Sequence, residues 1–420
     1  MKIKFKLNFR QKLAGLLLIF AILGPGFITA NVDNDAGGIT TYSLAGGHFG
    51  YALLWTMIPV LILLIIVQEM CARLGVVTGK GLADLIRENF SIKITFLAML
   101  LLIIVNIANT ITEFAGIAAA SEIFGVSRYI AVPLAAFFVW LLVLKGNYKS
   151  VEKVFLIACL FYLTYIITGF ITHQSWKVVF EKTVVPTFIM NKEYLMLIVA
   201  IIGTTIAPWM QFYLQSSIVE KGVKKEEYRY SRIDVTAGCV MAVIIAFFIT
   251  ITTAATIFQA GIRIETASDA AVALAPLAGK FAKYIFAFGL LNAGLFAASI
   301  LPLSTAYSVS EAFGWESGVN RKFKEAKQFY ILYTATIIIG ALFVLIPKFN
   351  LIMLMYFSQV LNGILLPFII IFMLKLINKH ELMGEYKNGK IYNIISYASA
   401  FIIIAITLTM LVTMIFPKLF

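Results

Sequence analysis

The 420-residue chain is predicted to fold as an all-α membrane protein, an inverted-repeat bundle of eleven transmembrane helices with the first and sixth broken. Three observations predict it. Hydrophobic residues make up 61% of the chain and charged residues only 13%, about half the share usual in globular proteins. Apolar runs long enough to cross a bilayer recur from end to end, and Gly, Pro and Asp interrupt two of them. Soluble enzymes and single-span receptors are excluded. The net charge of +13 fits basic loops against anionic lipid and does not call for a nucleic-acid partner. Cys71, Cys159 and Cys239 lie in or beside apolar runs without CxxC or His spacing, so they read as small packing residues.

The runs fall at 14–46 (interrupted), 49–72, 94–124, 128–144, 151–172, 194–219 (interrupted), 233–260, 281–310, 329–347, 349–374 and 392–416. They make one transmembrane domain over 1–420, with a first five-helix repeat at 14–172, a second, inverted one at 194–374, and an additional helix at 392–416. The first run reads as a span and not as a cleaved leader, because no clear cleavage site follows it. With the N-terminus inside, the cytoplasmic segments hold 25 Lys/Arg and the outer segments 9. The positive-inside rule then puts the N-terminus in the cytoplasm and the C-terminus outside.

GPGFITANVDNDAGGITTYSLAGG cannot be one continuous helix in lipid. Gly37 and Gly38, with the turn formers Asn34 and Asp35, predict an unwound segment near 32–38 between two half-helices. In the sixth run, GTTIAPWMQF, Pro208 removes a donor and clashes with the carbonyl of Thr204. Non-helical backbone at membrane depth must face protein or a water-filled cavity. Five spans separate the two breaks, so their repeats sit in opposite orientations, the arrangement of secondary transporters with a midplane substrate site.

Asp35, in the first break, is costly in the membrane without a cation or donor. A bound cation answers that cost, with the carbonyls of Val32 and Thr204 as further oxygen ligands. Asp33 either adds charge or faces a wet vestibule. Glu113, in the third span, is either a structural hydrogen-bond partner or part of an ion or proton path. Glu69 and Glu122 are expected at the interface, and His48, His173 and His380 in loops, which leaves no imidazole metal site.

GPGFITANVDNDAGG, AGGHFGYALLW, CARLGVVTGKGLADLIRE and SQVLNGILLPF occur in the order, and with much of the wording, of the Nramp divalent-metal transporters. The chain therefore resembles that family over most of its length. The resemblance implies a LeuT-like fold, no enzymatic activity, no cofactor, and a divalent metal ion as cargo. It also implies a monomer in a prokaryotic cell membrane. Without gaps, it sets Asp35 on the family's metal-binding aspartate, Gly38 on its asparagine, Ala207 on its methionine and Trp209 on its histidine. Glu113 matches the glutamate of an Asp-x-x-Glu pair whose aspartate is Thr110 here, and Gln359 matches a glutamine of the tenth helix.

The departures set the expected cargo. A thioether favours softer ions, and its replacement by Ala207, with Gly38 for the asparagine, leaves a roomier, harder pocket. Mg²⁺ usually keeps several waters and binds one or two carboxylates. This pattern resembles the Nramp-related magnesium transporters, and it implies uptake of partly hydrated Mg²⁺, with Mn²⁺ also carried. Trp209 and Thr110 do not exchange protons near neutrality, so proton coupling is not expected. A proton-coupled Mn²⁺/Fe²⁺ carrier and an organic-substrate permease of the same fold are the alternatives. Asp35 would repel a substrate carboxylate in the latter.

Overall fold

The computed structural model describes residues 24–145, 162–172, 174–347 and 349–415. Its main helices are α1 (Pro25–Val32), α2 (Ala36–Phe49), α3 (Met57–Thr78), α4 (Leu82–Asn89), α5 (Ile92–Ile123) and α6 (Arg128–Lys145). They continue as α7 (Leu163–Ile171), α8 (Trp176–Val184), α9 (Lys192–Thr205), α10 (Pro208–Lys221) and α11 (Tyr228–Thr253). The chain closes with α12 (Ala282–Phe313), α13 (Lys327–Val344), α14 (Leu351–Ile377) and α15 (Lys390–Ile415).

Among the described residues, nine helical segments are long and apolar enough to cross a membrane. The predicted first run appears as α1 and α2 but begins outside the described residues, and the predicted fifth run, 151–172, is described only from residue 162. Local chemistry fixes many helix ends. Ser91, Asn191 and Asn350 accept the N–H three residues on, while Gly79, Gly222 and Gly314 close α3, α10 and α12 in the left-handed conformation.

The broken pair α9–α10 is the centre of the bundle: the whole of its most apolar stretch is buried. α12 packs along α5, α14 along α9, and α11 against both α1 and α2. Small residues permit this closeness. A Cβ on Gly203 of α9 would stand 2.1 Å from the carbonyl oxygen of Gln359 in α14. The outer helices expose apolar side chains, such as Leu134 at 63% and Phe137 at 59% on α6, where lipid replaces protein as the solvent.

Two expectations need correction. The first break is shorter than 32–38: only residues 33–35 leave the helix, and Gly37 and Gly38 form the first turn of α2. His48 lies in α2, not a loop, and its Nδ1 is 2.7 Å from Glu193 Oε1. His380 starts a short helix, and His173 and Cys159 lie outside the described residues. Glu69, expected at the interface, is buried within the protein, where Arg73, one turn on, pairs with it at 3.1 Å and the Tyr228 hydroxyl donates to it. Glu122 is exposed and pairs with Arg128.

Candidate metal-ion site

The first break is organised by carboxylates. Asp35 caps α2 by accepting the Gly38 N–H at 2.7 Å. Glu113, reaching across from α5, accepts the Ala36 N–H at 3.2 Å. That N–H is the normal helical donor to the carbonyl of Val32, so Val32 closes α1 with its oxygen free of that bond. The Asp35 and Glu113 carboxyl groups are within hydrogen-bonding reach of each other. Both are buried, at 4% and 0% exposure, as are Asp33 and Asn34. Two ionised carboxylates in contact repel strongly away from water, and a cation between them removes the conflict.

Several buried oxygens around this point have no hydrogen-bond partner among the described residues: Glu113 Oε1, Asn34 Oδ1 and Thr204 Oγ1. Each such atom costs roughly 1–3 kcal/mol if left unpaired. A hydrated cation is one chemistry that would engage all three. Thr204 belongs to the second break. Pro208 has no N–H for the Thr204 carbonyl, α10 begins at Pro208, and Ala207 in extended backbone offers no side-chain cap. The Thr204 hydroxyl would lie 3.3 Å from a Cβ placed on Gly38, which puts the two breaks side by side.

The glycines are needed here for closeness. A Cβ on Gly38 would meet the Asp33 carbonyl oxygen at 2.5 Å, and one on Gly37 would meet the Gln359 amide nitrogen at 1.9 Å. Gly38 therefore contributes its N–H to Asp35 and has no room for a ligating side chain. Gln359 packs on α2 and accepts from Asn362 at 2.8 Å, while its amide nitrogen donates to Ser358 Oγ at 3.1 Å. Asn362 and Asn109 exchange two hydrogen bonds across α14 and α5, and Thr112 pairs with Ser358 at 2.6 Å.

The other sequence candidates sit off this point. Thr110 donates to the Asn106 carbonyl at 2.8 Å and packs on Gly340 of α13, so it faces away from the break. Trp209 is buried beside Tyr213, with its carbonyl accepting from Ser304 at 2.9 Å. Ala207 is buried in the second break. Among the described residues, no three His, Cys, Asp or Glu side chains converge to hold a metal ion, so the site rests on two carboxylates and neutral oxygens.

Sequence reading missed Asp234 and the Asn109–Asn362 pair. Asp234 of α11 accepts the N–H groups of Gly24, Gly26 and Phe27 at 2.7, 2.8 and 3.1 Å and so anchors the start of α1. A carboxylate at the edge of the run 233–260, and amides inside two apolar runs, were the available signals. Above the break, toward the end of α2 that carries His48, opens a cavity of about 590 Å³ whose lining includes Leu44, His48, Glu193, Arg263 and Tyr356.

Residues 26–413 match the family model described as natural resistance-associated macrophage protein-like. The chain is 30% identical over 286 residues to the divalent metal cation transporter MntH of Erwinia tasmaniensis, covering 66% of this chain and 68% of that one. With MntH of Bacillus subtilis the identity is 26% over 416 residues, 96% and 94% of the two chains. In structure, the manganese transporter of Eremococcus coleocola superposes with a TM-score of 0.77 at 22% identity, covering 95% of this chain and 87% of that one. A nucleobase-cation-symport-1 transporter gives 0.58 at 14% identity, covering 93% and 92%. The all-helical, LeuT-like architecture, the two broken helices and the matched length agree, and the chain belongs to the Nramp family of membrane transporters and is not an enzyme.

Proposed function

We propose that the protein takes up divalent metal ions, Mg²⁺ and also Mn²⁺, as partly hydrated ions bound at the first break. The observation that carries the reading is the donor set: two buried carboxylates, Asp35 and Glu113, with unpartnered neutral oxygens and Ala207 at the second break. Two carboxylates suit an ion that keeps part of its water shell, and Mg²⁺ is such an ion. The Met355 sulfur, packed on α2, already accepts from the Thr40 hydroxyl at 3.5 Å. The membrane is a prokaryotic cell membrane, with the N-terminus cytoplasmic and the C-terminus outside.

Transport is not proton-coupled in this reading, because Thr110 and Trp209 are not proton carriers. The potential suffices as driving force. Two charges crossing an inside-negative membrane gain about 4.6 kcal/mol per 100 mV, which allows a gradient of more than a thousandfold. The competing reading is a proton-coupled Mn²⁺/Fe²⁺ carrier, and the relative named for manganese supports its choice of Mn²⁺ as cargo. One experiment separates them. Purified protein in liposomes at a fixed potential is given Mn²⁺ with excess Mg²⁺ while internal pH is followed. Mg²⁺ competition without metal-dependent acidification is expected. Failure to compete rejects the Mg²⁺ assignment, and acidification rejects uncoupled transport.

A further inference from the structure

At the other end of α10 from the second break lies a cavity of about 340 Å³, between α10, α12 and the start of α4. It opens on the face carrying Lys80 and Arg321, the cytoplasmic face in the orientation proposed above. Glu311 of α12 enters it almost fully buried, at 7% exposure. Ser216 of α10 donates to Glu311 Oε1 at 2.5 Å, and Glu311 Oε2 has no partner. Gly81 leaves the carboxylate its space, since a Cβ there would stand 2.1 Å from Oε2.

Arg87 lies within electrostatic reach of Glu311, but among the described residues no cation forms an ion pair with it. Lys80 is paired with Glu88 at 2.7 Å, Arg87 with Asp84 at 2.9 Å and Arg321 with Glu316 at 3.3 Å. Glu220, on the same cavity, accepts only from neutral donors, the Tyr307 hydroxyl and the backbone and amide of Asn320. Glu220 and Glu311 therefore face one cavity without a dedicated cation. Gly81, as N-cap of α4, offers no side chain, and Glu311 stands at the start of that helix within hydrogen-bonding reach of the Ala83 N–H, while its Oε2 keeps no hydrogen-bond partner among the described residues.

We propose that this cavity is a second divalent-cation site, built of Glu311, Ser216 and Glu220, that takes a hard ion such as Mg²⁺ through oxygen ligands and waters. Because its ligands come from α10 and α12 against the start of α4, a bound ion clamps these elements together. An ion delivered to this side would then hold the exit shut as its concentration rises, a feedback on transport.

The full-length protein in detergent, with Mn²⁺ as an electron paramagnetic resonance probe, tests it. The unmodified chain is expected to bind two Mn²⁺ and Asp35→Ala one, with Mg²⁺ displacing it. Adding Glu311→Gln should remove that one. Gly81→Ala, which keeps the carboxylate but fills its space, should weaken it at least tenfold and serves if Glu311→Gln does not fold. No binding in Asp35→Ala, or binding unchanged by both further substitutions, overturns the site. In liposomes, internal Mg²⁺ should slow uptake by the unmodified chain more than by Glu311→Gln at equal gradients. Equal slowing rejects the clamp, whereas loss of Mg²⁺ competition for uptake bears only on the substrate reading.

Discussion

At the first break Asp35 turns its own side chain back onto the Gly38 N–H, whereas at the second Pro208 starts α10 with no N–H to satisfy and Ala207 supplies no cap. Both breaks interrupt a helix in the middle of the bundle, yet one uses a charge and the other none. The second break contains no charged group, although Thr204 Oγ1 has no hydrogen-bond partner among the described residues. The first break holds two buried carboxyl groups, Asp35 and Glu113, within reach of each other, an arrangement that a cation would satisfy. In the function proposed above, the difference assigns the cargo to the first break and the shaping of the space beside it to the second.

The largest effect is therefore expected at Asp35. Asp35→Ala removes both charge and cap, so uptake should disappear and stability fall by about 1 kcal/mol. Asp35→Asn separates the two roles, because its amide oxygen still accepts from Gly38. Uptake into liposomes should drop at least a hundredfold, while thermal unfolding stays near that of the unmodified chain. Asn at near-normal uptake would break the comparison at its first term.

Next come the two positions where the wider family carries ligands. Gly38→Asn should not restore a ligand here, because its Cβ would press on the Asp33 carbonyl at 2.5 Å. Overpacking of this kind costs roughly 1–3 kcal/mol, and uptake of Mg²⁺ and Mn²⁺ should fall together. Ala207→Met instead adds a soft donor at the neutral break. Competition assays should show preference moving toward Mn²⁺ or Cd²⁺ by about tenfold. A Gly38→Asn chain that is stable and Mn²⁺-selective would show that the first break has room the structure does not give it.

The two breaks and Asp35 were legible in the sequence because Gly, Pro and Asp inside apolar runs conflict with a continuous helix. Their depth and partners were not. Periodicity cannot say that Ala36 donates to Glu113 or that Thr110 turns toward Gly340, since both depend on how α5 is rotated against α2 and α13. Motif alignment placed Thr110 and Trp209 on an ion path by analogy, but it could not show that the Thr110 hydroxyl donates to the Asn106 carbonyl or that the Trp209 carbonyl accepts from Ser304. Asp234 escaped because its run begins at residue 233, where a charge looks like an ordinary helix end. The break also proved three residues long, because Asp35 caps α2 early enough to keep both glycines helical.

Gln359 sharpens the comparison with a smaller effect. Its amide touches the first turn of α2 but is already held by Asn362 and Ser358. Gln359→Ala removes a polar wall and not a charge, so Mg²⁺ uptake should fall about three- to tenfold, read mainly as a higher KM. A loss as complete as that of Asp35→Asn would mean that the charge is not what distinguishes the first break.

The smallest effect is expected at Pro208. As the first residue of α10 it stands where a missing N–H is tolerated, so Pro208→Ala should fold normally. The new N–H can reach back to the Thr204 carbonyl and extend α9 toward α10. That bond competes for an oxygen facing the site, but it leaves Asp35 and Glu113 untouched. Mg²⁺ uptake should fall only about two- to threefold, with the melting temperature unchanged or slightly raised. If Pro208→Ala silenced transport while Asp35→Asn spared it, the roles assigned to the two breaks would have to be exchanged.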